Sequence, residues 1–333
     1  MEQGKRVTPD FSERCKGAMW GQFVGDALCL GSHWIYDLSE LDRKFPGGVQ
    51  GFEAPAEGHY HTGKHPGDFT HYGDAALLLL QSVAELGRFS PLDFGPRFVA
   101  LFSSKEYGGY RDHATQGMLE NYRPFAEKYP DNPYHFQGGA DDDQPATATR
   151  LAPVVVAHYQ DNDLLRAVQS ATLVCQNNSR AVVYMKCHAL ILKALLSKSG
   201  LEDAIRVGAG SVREEPEYGR EITAAAQTVL SQVNRGVREA TLEFGQSCPL
   251  KGSFPAALHA ALKFQDDPRR AMLESANAGG DSAARCAMIG TWLGALHGTA
   301  ALPSEWRDRI NARTEVQRCI DQIVGRMGME QAK

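Results

Sequence analysis

The residues with the clearest chemical potential lie in NAGGDSAARCAMIGTWLGALHG, residues 277–298. The glycine pair Gly279-Gly280 precedes a lone carboxylate, Asp281, and Asp281 opens a long apolar segment. That order places Asp281 in the first turn of a helix, where free backbone N–H groups and the positive end of the macrodipole favour an anion. Arg285 follows at i+4, so its guanidinium can meet the carboxylate, either as an ordinary intrahelical ion pair or as positive charge offered to a ligand. His71, Tyr72 and Asp74 form a second polar set in the opening turn of THYGDAALLLLQSVAEL. Two further groups read more blandly. His59, His61 and His65 can be read as metal ligands, but no cysteine or carboxylate completes a recognised spacing, and Asp141, Asp142 and Asp143 in QGGADDDQP invite a metal reading but read more simply as a solvated acidic turn.

The elements that must position these residues follow from glycine spacing. Gly290, Gly294 and Gly298 recur at i, i+4 and i+8, and Gly17, Gly21 and Gly25 repeat the spacing near the start of the chain. Two bare faces of this kind predict close helix packing with the chain ends meeting at the centre of the fold. Antiparallel pairing with Gly25 near Gly290 puts Asp281 about 13 Å beyond that contact at 1.5 Å per residue, level with His33 and Trp34. Ordinary close packing of two core helices accounts for the spacing equally well.

The helices expected from periodicity and caps are Phe11 to about Cys29, 70–86, 91–102, 109–122, 146–159, 161–175, 179–196, 221–233, 254–264, 268–276, the apolar run after Asp281, and one last helix from Pro303. Residues 44–69, rich in Gly, Pro and His, read as a long functional loop. No stretch alternates in the manner of strands and no repeat recurs. The expected fold class is all-α: a flexible tail over residues 1–10 and a single helical domain over 11–328.

The bulk numbers exclude several classes. The chain has 333 residues, 43% hydrophobic and 23% charged, with a formal net charge of −5, which offers no nucleic-acid footprint. Seven cysteines without a CxxC pair predict a reducing compartment. No apolar leader and no membrane span is evident, so a cytoplasmic protein without membrane or nucleic-acid partners is expected.

Several ordered segments carry a family resemblance. GAMWGQFVGDAL (17–28), Gly67–Thr70 with the helix after it, TRLAP (149–153) and 253–298 resemble the ADP-ribosylglycohydrolase family over nearly the whole chain. The likeness is greater to its J1-crystallin and selenoprotein J branch than to the enzymes that remove ADP-ribose from arginine. The resemblance implies an all-α globule with a central cleft and an ADP-ribosyl ligand, small or protein-linked. It also implies a pair of magnesium ions held by two carboxylates of an early Thr-Asp-Asp-Thr motif and two of a late Gly-Gly-Asp-Thr-Asp-Thr motif.

Here the early motif reads Thr70-His71-Tyr72-Gly73 and the late one Gly279-Gly280-Asp281-Ser282-Ala283-Ala284, so one of the four carboxylates remains. Thr70, Asp281 and Ser282 are the metal donors left, too few for a tight pair of hard ions, and Mg²⁺ is expected to be weak or absent. If the motif helices face each other as in the family, His33, His71, Tyr72 and Asp74 line one cleft. They then serve either as acid–base groups or as a hydrogen-bonded network without turnover. Gln176, Asn177 and Asn178 fall where the enzymes carry a Thr-His segment, with amides suited to ribose or adenine or to capping the helix at Ser179.

The resulting expectation is hydrolysis of an N- or O-glycosidic bond of an ADP-ribosyl or related nucleotide sugar. Asp281, Asp74, His71 and Tyr72 would act on the bond, while His33, Gln176, Asn177, Asn178, Gly279, Gly280 and Arg285 bind ligand. The alternative is a non-catalytic, crystallin-like structural or ligand-binding protein.

Overall fold

The computed structural model describes residues 8–330. Residues 1–7 of the expected tail lie outside this range, and of its remainder Asp10 is already a helix cap: its carboxylate accepts from Glu13 N at 2.8 Å and starts α1 (Phe11–Leu28). Next come α2 (Leu38–Lys44), α3 (His71–Leu86), α4 (Pro91–Ser103), α5 (His113–Lys128), a 3₁₀ turn at Ala148–Arg150 and α6 (Ala152–Ala157). The chain continues through α7 (Leu164–Leu173), α8 (Ser179–Leu196), α9 (Leu201–Ser211), α10 (Gly219–Ser231) and α11 (Val237–Phe244). It closes with α12 (Leu250–Lys263), α13 (Pro268–Ala276), α14 (Ser282–His297), α15 (Ser304–Asp308) and α16 (Arg313–Glu330). Among the described residues there is no strand, only isolated bridges at Ile35–Gly280 and Ala140–Gln176. The fold class is the all-α one expected.

The centre of the molecule is the antiparallel pair α1 and α14, buried over almost their full lengths. Gly17 faces Gly294, Gly21 faces Gly290 and Gly25 faces Cys286, so close that a Cβ on any of the three α1 glycines would strike backbone of the opposite helix. The register differs from the expected Gly25–Gly290 pairing by one turn. The cause is at the end of α14, which stops at His297. Gly298, with φ 75°, is its left-handed terminus and no longer part of the helical face. Arg14 stitches the seam to its surroundings by donating to the carbonyls of Leu195 and Ala295 at 3.0 and 3.1 Å.

Several expected helices are divided or shifted: α7 is shorter than 161–175, α12 begins at Leu250 rather than 254, and three others change for a local reason. The 146–159 segment breaks into a 3₁₀ turn and α6 because Pro153 at the second helical position requires a fresh start. The last helix breaks between α15 and α16, where Asn311 N donates to Gly67 O at 3.0 Å and ties down the long loop. The α5 helix begins at His113 rather than Gly109 because Asp112 accepts from Thr115 N at 2.8 Å as its cap. Neither α2, α9 nor α11 was legible from periodicity.

Candidate functional site

The site forms where the two motif helices begin. Asp281 caps α14, accepting from Ala284 N at 3.4 Å, and is fully buried. The loop before it is held by backbone: Gly280 N donates to Ile35 O and Trp34 N to Gly280 O, both at 2.8 Å, and Asp281 N donates to Gln246 O at 2.9 Å. Gly279 and Gly280 both sit at positive φ, 72° and 66°, with no room for a side chain against Ile35 and Gln246. They shape the turn that aims Asp281.

Three side chains approach the carboxylate, one of them the Cys248 thiol through a hydrogen bond. Tyr72, in the first turn of α3, donates its hydroxyl to Asp281 Oδ2 at 3.4 Å, and His33 Nδ1 lies 3.6 Å from Oδ1. His33 arrives there because the chain leaves helical geometry after α1 and coils through 29–34, with His33 N donating to Cys29 O and Trp34 at φ 64°. Burial pushes the Asp281 carboxyl above its ordinary range against the opposing pull of the Arg285 charge. The same burial, with the Asp281 charge added, raises the Tyr72 phenol well above normal. His33 is held well below its ordinary value by burial and by the other imidazoles around it.

The expected Arg285–Asp281 contact is replaced by a different one. Arg285 donates to Ser275 O at 3.1 Å, Gly279 O at 2.5 Å and Gln246 O at 3.2 Å, so it closes the carboxyl end of α13 and the glycine loop instead of facing a ligand. Its charge reaches Asp281 only through space.

Asp74 also points elsewhere. It accepts from Lys64 Nζ and from Tyr107 OH, each at 2.7 Å, on the wall of a separate cavity of about 690 Å³ that Leu77 and Leu101 also line. Gln176 is a buried brace, accepting from Thr147 and donating to Asp142 and Gln144 O, while Asn178 caps α8 and donates to Asp141 at 2.6 Å. Asn177 is exposed and holds Ala140 O through its backbone N–H. The three consecutive aspartates turn to three different partners, Asn178, His113 and Arg180, and do not converge.

Several members of the site, Tyr60, Tyr110, Asp112 and Cys248, carry no signal in the sequence, which presents His61 and Trp34 without their partners. His61, from the long loop, meets His33 and His71 with ring centroids 5.6 Å from each, and His33 and His71 are 6.0 Å apart. The indole of Trp34 lies across them, 4.2 Å from His33 and 5.2 Å from His71, with Tyr60 and Tyr110 edge-on at 5.0 and 4.9 Å. Asp112 Oδ2 lies 3.4 Å from His71 Nε2. Burial pushes the Asp112 carboxyl up, but the neighbouring His71 and the Thr115 hydrogen bonds outweigh it and hold it at about 2. Cys248, beside Tyr36 at 3.8 Å, has its thiol raised by burial and by the Asp281 charge. The GHYH run was the visible signal for His61, but no spacing within one segment reveals a partner 28 residues before it.

A magnesium pair does not fit these donors. Thr70 is committed to Asp26, donating from its hydroxyl at 2.5 Å and its N–H at 2.8 Å, and that buried carboxyl is itself raised by burial to about 6. Where hard oxygen donors are required, the first motif presents an imidazole and a neutral phenol, and Asp281 is taken up by Ala284 and Tyr72.

Comparison with known proteins agrees with the all-α fold. Crystallin J1A of Tripedalia cystophora is 22% identical over 93% of this chain and 96% of its own, and crystallin J1B of the same animal is 21% identical over 95% and 97%. A solved structure described as an ADP-ribosylglycohydrolase-related protein complex shares the fold with a TM-score of 0.70 at 24% identity, covering 96% of this chain and 99% of that one. Among the described residues no helix is long and apolar enough to cross a membrane. The family model for ADP-ribosylglycohydrolase matches residues 7–333, and the chain belongs to that family.

Proposed function

We propose that this protein hydrolyses an N- or O-glycosidic bond of a small or protein-linked ADP-ribosyl or related nucleotide-sugar ligand, by a chemistry not built on a magnesium pair. The observation that carries the reading is Asp281: the one motif carboxylate left still stands at the meeting of the two motifs, with Tyr72 OH at 3.4 Å and His33 at 3.6 Å. In this reading water adds to the anomeric carbon as the C–N or C–O bond breaks, and its proton passes to the leaving group by way of Asp281. A carboxyl whose proton affinity is raised by burial suits that exchange. Trp34, Tyr110 and Tyr60, the last 56% exposed, offer rings on which an adenine can stack. Because Asp281 is fully buried, the segment carrying Tyr60 and His61 has to open for substrate. The seven unpaired thiols support a cytoplasmic location.

The test is release of ADP-ribose from ADP-ribosyl-arginine and ADP-ribosyl-serine, with and without Mg²⁺. Turnover indifferent to Mg²⁺ and abolished in a folded Asp281→Asn variant supports the proposal. Stabilisation by ADP-ribose in a thermal-shift titration without turnover supports the second reading, a non-catalytic crystallin-like binder. That reading is favoured by the complete enclosure of Asp281 and by the rings that occupy the space above it.

A further inference from the structure

We propose that His33, His61 and His71 form a binding site for one divalent transition-metal ion of the zinc class. The three residues come from separate segments: the turn after α1, the long loop and the first turn of α3. Each is at most 2% exposed, and each offers a ring nitrogen within 4.8 Å of the others.

Among the described residues, His33 Nε2 and both ring nitrogens of His61 and His71 have no hydrogen-bond partner. A buried polar atom left unpaired costs about 1–3 kcal/mol, so five of them in one cluster call for a shared partner. One cation bound by a nitrogen of each imidazole satisfies three of the five, and Asp112 Oδ2 stands 3.4 Å from a fourth, His71 Nε2.

The spacing of the rings, whose planes lie 16, 23 and 37° apart, matches that occupant. Their centroids form a nearly equilateral triangle with sides of 5.6, 5.6 and 6.0 Å. The centre of such a triangle is about 3.3 Å from each centroid, close to the ~3.2 Å that an imidazole bound through a Zn–N bond of about 2.0–2.1 Å keeps from its ion. Two of the three rings also have a carboxylate near the nitrogen opposite the one left for metal: Asp112 Oδ2 lies 3.4 Å from His71 Nε2, and Asp281 Oδ1 lies 3.6 Å from His33 Nδ1, which also accepts from Ala283 N at 3.4 Å. Carboxylates placed behind ligand histidines orient the ring and raise its basicity. That leaves Nε2 of His33 and Nδ1 of His71 as donors. An all-nitrogen set of this kind selects Zn²⁺ or a neighbouring first-row ion and discriminates against Mg²⁺, which demands oxygen. Three protein ligands leave at least one coordination position for water or a ligand group.

The inference stands apart from the hydrolytic reading, because it is tested with no nucleotide present. Metal-stripped full-length protein is titrated with Zn²⁺ against a chromophoric chelator and, separately, with Co²⁺ while d–d absorption is recorded. The expected result is one ion per chain, an intense visible spectrum characteristic of a four- or five-coordinate imidazole-bound cobalt, and no competition from millimolar Mg²⁺. His61→Ala and His71→Ala each weaken binding at least 100-fold, whereas His65→Ala, in the same loop but exposed, leaves it unchanged. Thermal melting in chelator shows that the variants are folded. If either fails to fold, X-ray absorption of the wild-type zinc complex decides by counting imidazole ligands, with three expected. Lack of stoichiometric Zn²⁺ binding by the wild type, binding undiminished in the folded His61→Ala and His71→Ala variants, or fewer than three imidazoles at the ion overturns the proposal.

Discussion

The helix seam and the ring layer at its end are built on opposite terms. Along α1 and α14 the contacts are backbone against backbone: glycines interlock, and the buried Arg14 donates to the carbonyls of Leu195 and Ala295. A few residues further on, His33, His61, His71 and Trp34 are equally enclosed or nearly so, yet their polar atoms are largely without partners. The first region keeps unpaired polar atoms of its own, Gln22 Oε1 and Nε2, Thr291 Oγ1 and Trp292 Nε1, but there backbone packs directly on backbone. The second carries uncompensated polar groups beneath a partly exposed aromatic surface, the pattern of a site that waits for something to bind. What differs is that the unpaired groups of the second region are imidazole nitrogens gathered in one cluster beside a partly exposed aromatic surface, since burial is nearly the same in both.

The largest effect is expected at the seam. Gly21→Val sets a branched side chain against the backbone at Gly290, where neither helix can retreat, and costs about 3 kcal/mol or more, read as a lowered urea midpoint or loss of soluble protein. A Gly21→Val variant of unchanged stability would erase the contrast. Arg285→Met removes the donors to three buried carbonyls and is expected to cost about 3 kcal/mol, without changing metal stoichiometry at the ring layer. If it abolished metal binding as well, the two regions would not be separable.

Acid probes the flank of the seam. His188 on α8 is buried against Trp292 of α14, and burial lowers it to about 3. Its folded value lies below the unfolded value of about 6.5, so the stability it permits is whole above that pH and is lost as pH falls from about 6.5 towards 3. His188→Leu is expected to lessen the decline by up to about 1.4 kcal/mol per pH unit in that window, measured by denaturation at stepped pH. The smallest effect is expected at the surface of the ring layer: Tyr60→Ala lowers affinity for ADP-ribose by about 1 kcal/mol, or five- to tenfold, in a binding titration. Stability should change by less than about 0.5 kcal/mol, because Tyr60 is more than half exposed.

Much of the frame was readable before folding. The starts of α1, α3, α8 and α13 follow from Asp10, Thr70, Asn178 and Asp267, each of which accepts a backbone N–H as a cap. The two glycine repeats pointed to a central antiparallel pair, though its register waited on where α14 ends. The motif comparison put Asp281 opposite Tyr72 and His33. It did not separate Asp74 from them, because the two residues from Tyr72 to Asp74 along α3 turn a side chain about 200°, to a nearly opposite face. Nor did Arg285 reveal that carbonyls would claim it before the carboxylate, since those carbonyls come from α13 and the loop at Gln246.

Local rules acting within a few residues, namely caps, glycine spacing and apolar period, were enough to determine an all-α chain whose ends pair at the centre and whose one remaining motif carboxylate opens a helix. The tertiary structure alone decided that His61 joins His33 and His71, that Asp112 stands behind one ring and Asp281 behind another, and that Trp34 lies across them. The three histidines lie on segments joined by loops whose course depends on distant anchors, such as Asn311 holding Gly67. No periodicity encodes a contact made only after both ends of a long loop are fixed.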